Sequence, residues 1–230
     1  MVINGLQKLT LLDFPGHVAC TVFSAGCDLR CPFCHNASLV TGVSEPLMTE
    51  DEFFRFLDKR HGILDGVAFT GGEPLLQNDF VEFALRVKDM GYSVKLDTNG
   101  TLPSRLRAAI DAGAVDYVAM DIKNAPDKYP LSCGVNVNMD AVRESVAILM
   151  SGNVDCEFRT TVVREHHDAA DFHAIGEWLR GADRYFLQQF RDSGELLGGG
   201  TLSAPTREEM EEYASIMRGY VRSAELRGVM

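Results

Sequence analysis

Residues 66–91 read GVAFTGGEPLLQNDFVEFALRVKDMG and contain one complete strand–helix unit. Residues 66–70 form a short apolar run, which is typical of a buried strand. Residues 79–90 follow as a predicted helix that ends before Gly91. A helix after a strand can return the chain to the start of a neighbouring parallel strand. Repetition of this unit therefore predicts a parallel sheet covered by helices.

The same unit recurs along the chain, because each of the predicted strands precedes a helical pattern. The strands are nearly continuous in apolar residues, as expected when both faces of a parallel sheet are buried. A doubly wound sheet or a partial barrel fits this order, and both folds bind ligands at the carboxyl ends of their strands. Strands are predicted over residues 17–23, 66–70, 92–97, 115–122, 157–163 and 184–190, and helices over residues 49–60, 79–90, 103–113, 139–150, 171–180 and 206–226.

The composition is that of an ordinary soluble globular protein, with 46% hydrophobic and 24% charged residues among 230. The formal net charge of −11 argues against nucleic-acid binding as the main function. There is no run of about 18 apolar residues that would span a membrane, and the first residues do not resemble a secretory signal. We therefore expect one cytoplasmic domain over residues 1–230, with reduced thiols and no membrane or nucleic-acid partner.

Three of the six cysteines, Cys27, Cys31 and Cys34, follow the first predicted strand with the spacing C-x3-C-x2-C. Three thiolates on one loop can hold a soft metal centre. In a [4Fe-4S] cluster they would leave one iron open to a small ligand. The alternative is a structural zinc site with His35 as the fourth ligand. Because Cys34 and His35 are adjacent, both would have difficulty pointing at one tetrahedral ion.

Polar groups also follow the other predicted strands. Gly71-Gly72-Glu73 follows the second strand, Asp97 ends the third, and Asp121 and Lys123 end the fourth. Each motif alone has a structural explanation, such as a turn or a local ion pair. Together they lie at the carboxyl ends of successive strands, on the side of the cysteine loop. That is the layout of an active site in a βα fold.

These motifs resemble those of a known family. Cys27-x3-Cys31-x2-Cys34 and Gly71-Gly72-Glu73-Pro74 resemble the two main motifs of the radical S-adenosylmethionine (SAM) enzymes. Asp13-Phe14-Pro15-Gly16, Asp97-Thr98-Asn99-Gly100 and Asp121-Ile122-Lys123 extend the resemblance to the glycyl-radical enzyme activating enzymes. Residues 5–16 and 187–191 are most similar to the activating proteins of anaerobic ribonucleoside-triphosphate reductase. The resemblance covers residues 5–190.

The resemblance implies a partial, laterally open (β/α)6 TIM-like barrel, with a core over residues 17–190 and a final helix over residues 206–226. It implies that Cys27, Cys31 and Cys34 bind a [4Fe-4S] cluster whose open iron chelates SAM. It also implies a monovalent cation between Asp97 and Asp121, and closure of His173 over SAM. Arg159 matches an arginine of the family, and the group that Arg159 contacts is not assigned. The implied SAM contacts are Phe33, His35, Gly71, Gly72, Glu73, Asp97, Asp121, Ile122, Lys123 and His173.

The implied reaction is reductive cleavage of SAM to a 5′-deoxyadenosyl radical, which removes a hydrogen atom from a glycine of a partner protein. The implied electron donor is a flavodoxin or a ferredoxin, and the implied partner is anaerobic ribonucleotide reductase. Residues 40–46 are too few for a ferredoxin-like insertion, so a single cluster is expected. A partner's glycine loop needs access, so the barrel should be open on one side rather than closed with eight strands.

Three other functions remain open on the sequence alone. The first is activation of a different glycyl-radical enzyme, such as pyruvate formate-lyase. The second is radical SAM chemistry on a small molecule, of the 7-carboxy-7-deazaguanine synthase type. The third is a non-enzymatic zinc or iron–sulfur module. Cys20 and Cys156 are predicted in the core, and Cys133 is predicted in a loop with no assigned role.

Overall fold

The computed structural model describes residues 1–41, 45–192, 194, 196–198 and 201–229. One sheet of eight strands runs through this part of the chain, with the strands side by side in chain order. The first pair is antiparallel, and every later pair is parallel. The strands are β1 (Gly5–Thr10), β2 (Ala19–Ser24), β3 (Gly66–Gly71), β4 (Ser93–Thr98), β5 (Tyr117–Asp121), β6 (Asp155–Val162), β7 (Arg184–Gln189) and β8 (Ser223–Arg227).

Eight helices connect and cover the strands in the same part of the chain. They are α1 (Ala37–Val40), α2 (Glu50–Asp58), α3 (Phe80–Asp89), α4 (Pro103–Asp111), α5 (Tyr129–Cys133), α6 (Met139–Met150), α7 (Ala169–Trp178) and α8 (Arg207–Arg218). Reciprocal capping boxes start α2 at Thr49 and α8 at Thr206, as their sequences indicate. None of these helices is both long enough and apolar enough to cross a membrane.

The helices bury apolar side chains against the strands. Phe69 of β3 packs edge-on against Phe80 and Phe83 of α3, with ring centroids 5.5 and 5.9 Å apart. These residues belong to one apolar cluster that joins the strands to the helices. The strands are fixed in place by this packing, so the polar residues at their carboxyl ends have defined neighbours.

The sheet is open, which confirms the predicted partial barrel. Strands β2 to β7 are the six predicted parallel strands, and the order in the described residues begins with β1 and ends with β8 without a pairing between them. The count of six is too low, because the sequence did not predict β1 or β8. β1 is an edge strand whose central residues, Gln7, Lys8 and Leu9, are exposed. It therefore lacks the continuous apolar pattern of the buried strands.

The predicted helix over residues 206–226 is wrong at its C-terminal end. Helix α8 ends at Arg218, and residues 223–227 form β8 alongside β7. Tertiary contacts stabilise this strand, because Arg227 donates to the buried carboxylate of Glu157 at 2.6 and 2.9 Å. The hydroxyl of Tyr117 donates to the same carboxylate at 2.8 Å. These partners come from other strands and have no local sequence signal.

The strand register brings the carboxyl ends together. Ser24 of β2 lies beside Gly71 of β3, Thr98 of β4 lies beside Met120 of β5, and Asp121 of β5 lies beside Arg159 of β6. Residues far apart in sequence thus meet at one end of the sheet, as expected for parallel strands.

Candidate active site

A cavity of about 210 Å³ lies at the carboxyl ends of the parallel strands. It brings together most of the residues that the sequence singled out. The loop between β2 and α1 supplies one wall, and residues at the ends of β3 to β7 supply the others. The predicted residues that line it are Cys27, Cys31, Phe33, Cys34, His35, Gly71, Gly72, Asp97, Asp121 and Lys123, and the other lining residues include Asn99, Arg159, Thr161 and Gln188.

The cysteine loop is held in place by backbone contacts from distant segments. The amide of Arg30 donates to the carbonyl of Cys133 at 2.8 Å, and the amide of Gly198 donates to the carbonyl of Pro32 at 2.9 Å. The amide of Glu73 donates to the carbonyl of Gly26, also at 2.8 Å. Three separate segments therefore fix the loop on which the three thiols lie.

The thiols differ in their surroundings. Burial raises the pKa of the Cys27 thiol to about 12 and also raises the pKa of Cys34. Cys31 behaves differently, because the neighbouring thiol of Cys133 lowers its pKa. Cys133 is buried at the end of helix α5, not in a loop as predicted. No local pattern predicts this contact, since Cys133 is about a hundred residues away from the motif.

Two consecutive glycines allow strand β3 to approach the cysteine loop. Gly71 has a φ of +111°, and a Cβ there would lie 2.6 Å from backbone atoms of Ser24. A Cβ on Gly72 would lie only 1.9 Å from the carbonyl oxygen of Gly26, the residue before Cys27. The structure thus explains the Gly-Gly pair by the close approach of two backbones. The pair also exposes its own backbone to the cavity.

Alternating charges form the wall opposite the cysteines. Arg159 reaches Asp97 at 3.1 Å and Asp121 at 2.5 Å, and Lys123 reaches Asp121 at 2.9 Å. The buried ammonium of Lys95 pairs with Asp97. Burial opposes ionisation of Asp121, but Arg159 and Lys123 hold its pKa well below the usual range. Two cations, Arg159 and Lys123, and two carboxylates, Asp97 and Asp121, therefore line this side of the cavity as a balanced ion-pair network.

The guanidinium of Arg159 stands where the resemblance implies a monovalent cation. Both Asp97 and Asp121 pair with this guanidinium. Burial disfavours the charged form of Arg159, but the two carboxylates raise its pKa further. In the structure the chain itself supplies the positive charge between these carboxylates, and the cation stays a prediction.

Glu73 is not among the residues that line the cavity, and its contact with SAM stays a prediction. It is 1% exposed and accepts hydrogen bonds from the amide of Leu75 at 3.1 Å, the hydroxyl of Thr98 at 3.0 Å and the amide of Asn99 at 2.7 Å. Asn99 in turn donates to Asp28 of the cysteine loop at 2.8 Å. Burial raises the pKa of Glu73 to about 7. Glu73 therefore positions the turn after β4.

We expect Glu73→Ala to lower the free energy of unfolding by about 2–4 kcal/mol, because it leaves three buried donors without an acceptor. Thermal or urea unfolding of the purified protein measures this effect. Glu82→Ala, which changes an exposed carboxylate on α3, is the matched control and should shift stability by less than about 0.5 kcal/mol. Equal stability of the two variants would contradict this role of Glu73.

Two further predicted SAM contacts lie away from the cavity. Ile122 is fully buried in the apolar core, and its amide donates to the carbonyl of Arg159 at 2.8 Å. His173 lies on the exposed face of α7, where its Nδ1 is 2.9 Å from the hydroxyl of Tyr220. Closure of His173 over the ligand stays a prediction. Gln188, which does line the cavity, was not singled out as a site residue.

The donor set fits an iron–sulfur cluster better than a single metal ion. Within the described residues, no three His, Cys, Asp or Glu side chains are grouped closely enough to hold one metal ion. The three thiols and His35 thus do not form a tetrahedral zinc site. The thiols line a shared cavity, and thiolates are the usual ligands of a [4Fe-4S] cluster. Lys123 on the same cavity can bind the carboxylate of a ligand.

Comparison with known proteins agrees with this geometry. Residues 21–179 match the Radical SAM superfamily. A protein of Methanocaldococcus jannaschii that is named as a putative glycyl-radical enzyme activating enzyme is 30% identical to this chain. The match covers 99% of this chain and 96% of that protein. The pyruvate formate-lyase 1-activating enzyme of Escherichia coli is 28% identical over 95% of each chain.

Solved structures show the same fold at low sequence identity. A domain of the pyruvate-formate lyase-activating enzyme from Bacteroides vulgatus superposes with a TM-score of 0.57 and 20% identity, over 71% of this chain and 99% of that domain. Streptococcus suis SuiB bound to S-adenosylmethionine superposes with a TM-score of 0.68 and 13% identity, over 89% of this chain and 49% of SuiB. At this identity the likeness concerns the fold alone.

Proposed function

The chain belongs to the radical SAM superfamily, with relatives named as glycyl-radical enzyme activating enzymes, and we propose that it generates the glycyl radical of anaerobic ribonucleoside-triphosphate reductase. The family uses a [4Fe-4S] cluster and SAM. When bound, these groups supply one-electron cleavage of SAM and abstraction of a hydrogen atom, while the protein supplies orientation and a shielded site.

Named residues of this chain fit specific tasks. Cys27, Cys31 and Cys34 hold the cluster at one wall of the cavity. Lys123 would attract the carboxylate of SAM, and Gly71-Gly72 would present backbone groups to its amino end. Phe33 and His35 offer flat surfaces on the same loop. Burial lowers the pKa of His35, so its ring is neutral near pH 7.

One observation carries the proposal of a protein substrate: the cysteine cavity adjoins a second cleft on the open side of the sheet. Asp97, Arg159 and Gln188 line both cavities. The second cleft encloses about 330 Å³ and continues past Lys95 to Arg227 of β8. An extended loop that enters between β1 and β8 can therefore reach the cavity. A small molecule would not require such an opening.

The choice of partner rests on the local motifs at residues 5–16 and 187–191. A pyruvate formate-lyase type of partner is the second candidate, because the Escherichia coli relative of that name matches over 95% of this chain. In either case the reaction needs a one-electron donor, for which we propose a flavodoxin or a ferredoxin.

The test is an anaerobic electron paramagnetic resonance experiment on the reconstituted protein with SAM and a reductant. Parallel samples contain the anaerobic ribonucleotide reductase or the pyruvate formate-lyase of the same organism. A glycyl-radical doublet in the reductase sample supports the proposal. A doublet in the lyase sample alone would assign the second candidate. The absence of a doublet in both, with SAM cleavage intact, would contradict activation of these enzymes and favour a small-molecule substrate.

A further inference from the structure

Three leucines at the end of β1 expose large apolar surfaces to solvent. Leu9 is 51% exposed, Leu11 is 67% exposed and Leu12 is 89% exposed. They are neighbours in sequence. Among the other exposed large apolar side chains of the described residues, Val2 and Leu47 line a small cleft together, whereas Ile63, Leu131 and Met150 are separate in sequence. A cluster of this kind on a soluble protein is typical of an interaction site.

The exposure of these leucines is a consequence of a fixed turn. Thr10 is buried, and its hydroxyl accepts hydrogen bonds from the amides of Leu12 and Asp13, both at 3.2 Å. Asp13 in turn accepts from the hydroxyl of Thr21 at 2.6 Å. Phe14 is buried 6.1 Å from the ring of Tyr117. The turn is thus anchored on both sides of Leu11 and Leu12, which point outward.

The turn lies at the entrance of the cleft described above. Leu12 and Asp13 line one side of this entrance, and Arg227 and Gly228 at the end of β8 line the other. The inner wall of the cleft is shared with the cysteine cavity. A partner protein that covers the exposed leucines therefore also lies over the route to the cavity.

We propose that Leu9, Leu11 and Leu12 form a docking surface for the glycyl-radical enzyme. They would contact an apolar surface of that partner, next to its glycine loop. This inference rests on the proposed function. The position at the entrance favours this occupant, because the partner must bind beside the cleft in order to insert its loop. A second copy of this chain on the same surface would obstruct that route. Desolvated apolar residues are also common at the centre of protein interfaces.

The test variant is Leu9→Asp/Leu11→Asp, which changes two residues that line neither the cavity nor the cleft. We expect the dissociation constant for the full-length partner to rise about 100-fold, because two charges replace apolar contacts. SAM cleavage in the absence of partner should keep its wild-type rate. Ile63→Asp, at a 54% exposed position before β3, is the matched control and should bind normally. If the aspartate pair lowers Tm, Leu9→Asn/Leu11→Asn replaces it.

The outcomes are distinguishable. Wild-type affinity in the double variant would overturn the docking surface while leaving the proposed function intact. A wild-type protein that cleaves SAM but binds neither the anaerobic reductase nor the lyase would overturn the proposed function, and the docking surface with it. A wild-type dimer that the double variant converts to monomers would assign the leucines to self-association, which also overturns the inference.

Discussion

Replacing Cys31 with alanine should abolish SAM cleavage, with a fall in rate of about a thousand-fold or more. Cys31 is the central and most buried of the three thiols that line the cavity. The two remaining thiols cannot hold three irons of a cluster, so the iron is lost on purification. Iron and sulfide analysis of the anaerobically reconstituted protein measures this loss, and chromatography of the cleaved SAM products measures the rate.

Two other cysteines provide controls for the same experiment. Cys156 is half-buried on β6 and lies outside the cavity, so Cys156→Ala should keep about four irons per chain. The thiol of Cys133 lowers the pKa of Cys31 but does not line the cavity, so Cys133→Ala should also keep the cluster. Retention of iron and of SAM cleavage in Cys31→Ala would contradict the assignment. Loss of iron in Cys133→Ala would instead make Cys133 a ligand.

Much of the fold was predictable because its signals are local. The buried parallel strands are short apolar runs, and the helices that follow them have capping residues such as Thr49 and Thr206. The edge strands β1 and β8 were missed because an edge strand with exposed residues does not form a continuous apolar run. β8 does alternate, since Ala224 is buried while Glu225 is exposed. That pattern, after Gly219, is the signal that could have ended the predicted helix earlier.

The site was predicted best where position along a strand decides the contact. Asp97, Asp121 and Lys123 reach the cavity because parallel strands place their carboxyl ends together. Glu73 and His173 are not among the residues that line the cavity, and their roles toward SAM stay predictions. The direction of a side chain after a tight turn depends on partners such as Thr98 and Asn99, which are distant in sequence. Cys133 was missed for the same reason.

The second large effect is expected from Gly72→Ala. The new methyl group would lie 1.9 Å from the carbonyl oxygen of Gly26 and 2.6 Å from its carbonyl carbon. Both neighbours are backbone atoms, so no side-chain rotation relieves the clash. The amide of Gly72 also donates to Ser24 at 2.8 Å, which holds the two strands together. We expect a loss of about 3 kcal/mol or more in unfolding free energy and displacement of the loop that carries Cys27.

Displacement of the cysteine loop is an effect of Gly72→Ala that can be distinguished from a general loss of stability. If the glycine serves to position the cysteine loop, the variant should lose its iron at temperatures well below its own Tm. Gly219→Ala is a suitable control, because its Cβ would meet only the carbonyl oxygen of Ile216 at 3.2 Å, far from the cavity in the fold. A Gly72→Ala protein that retains about four irons per chain would show that the loop tolerates the methyl group. The close approach of β3 would then not be required for cluster binding, and the cysteine loop would depend on its contacts with Cys133 and Gly198 instead.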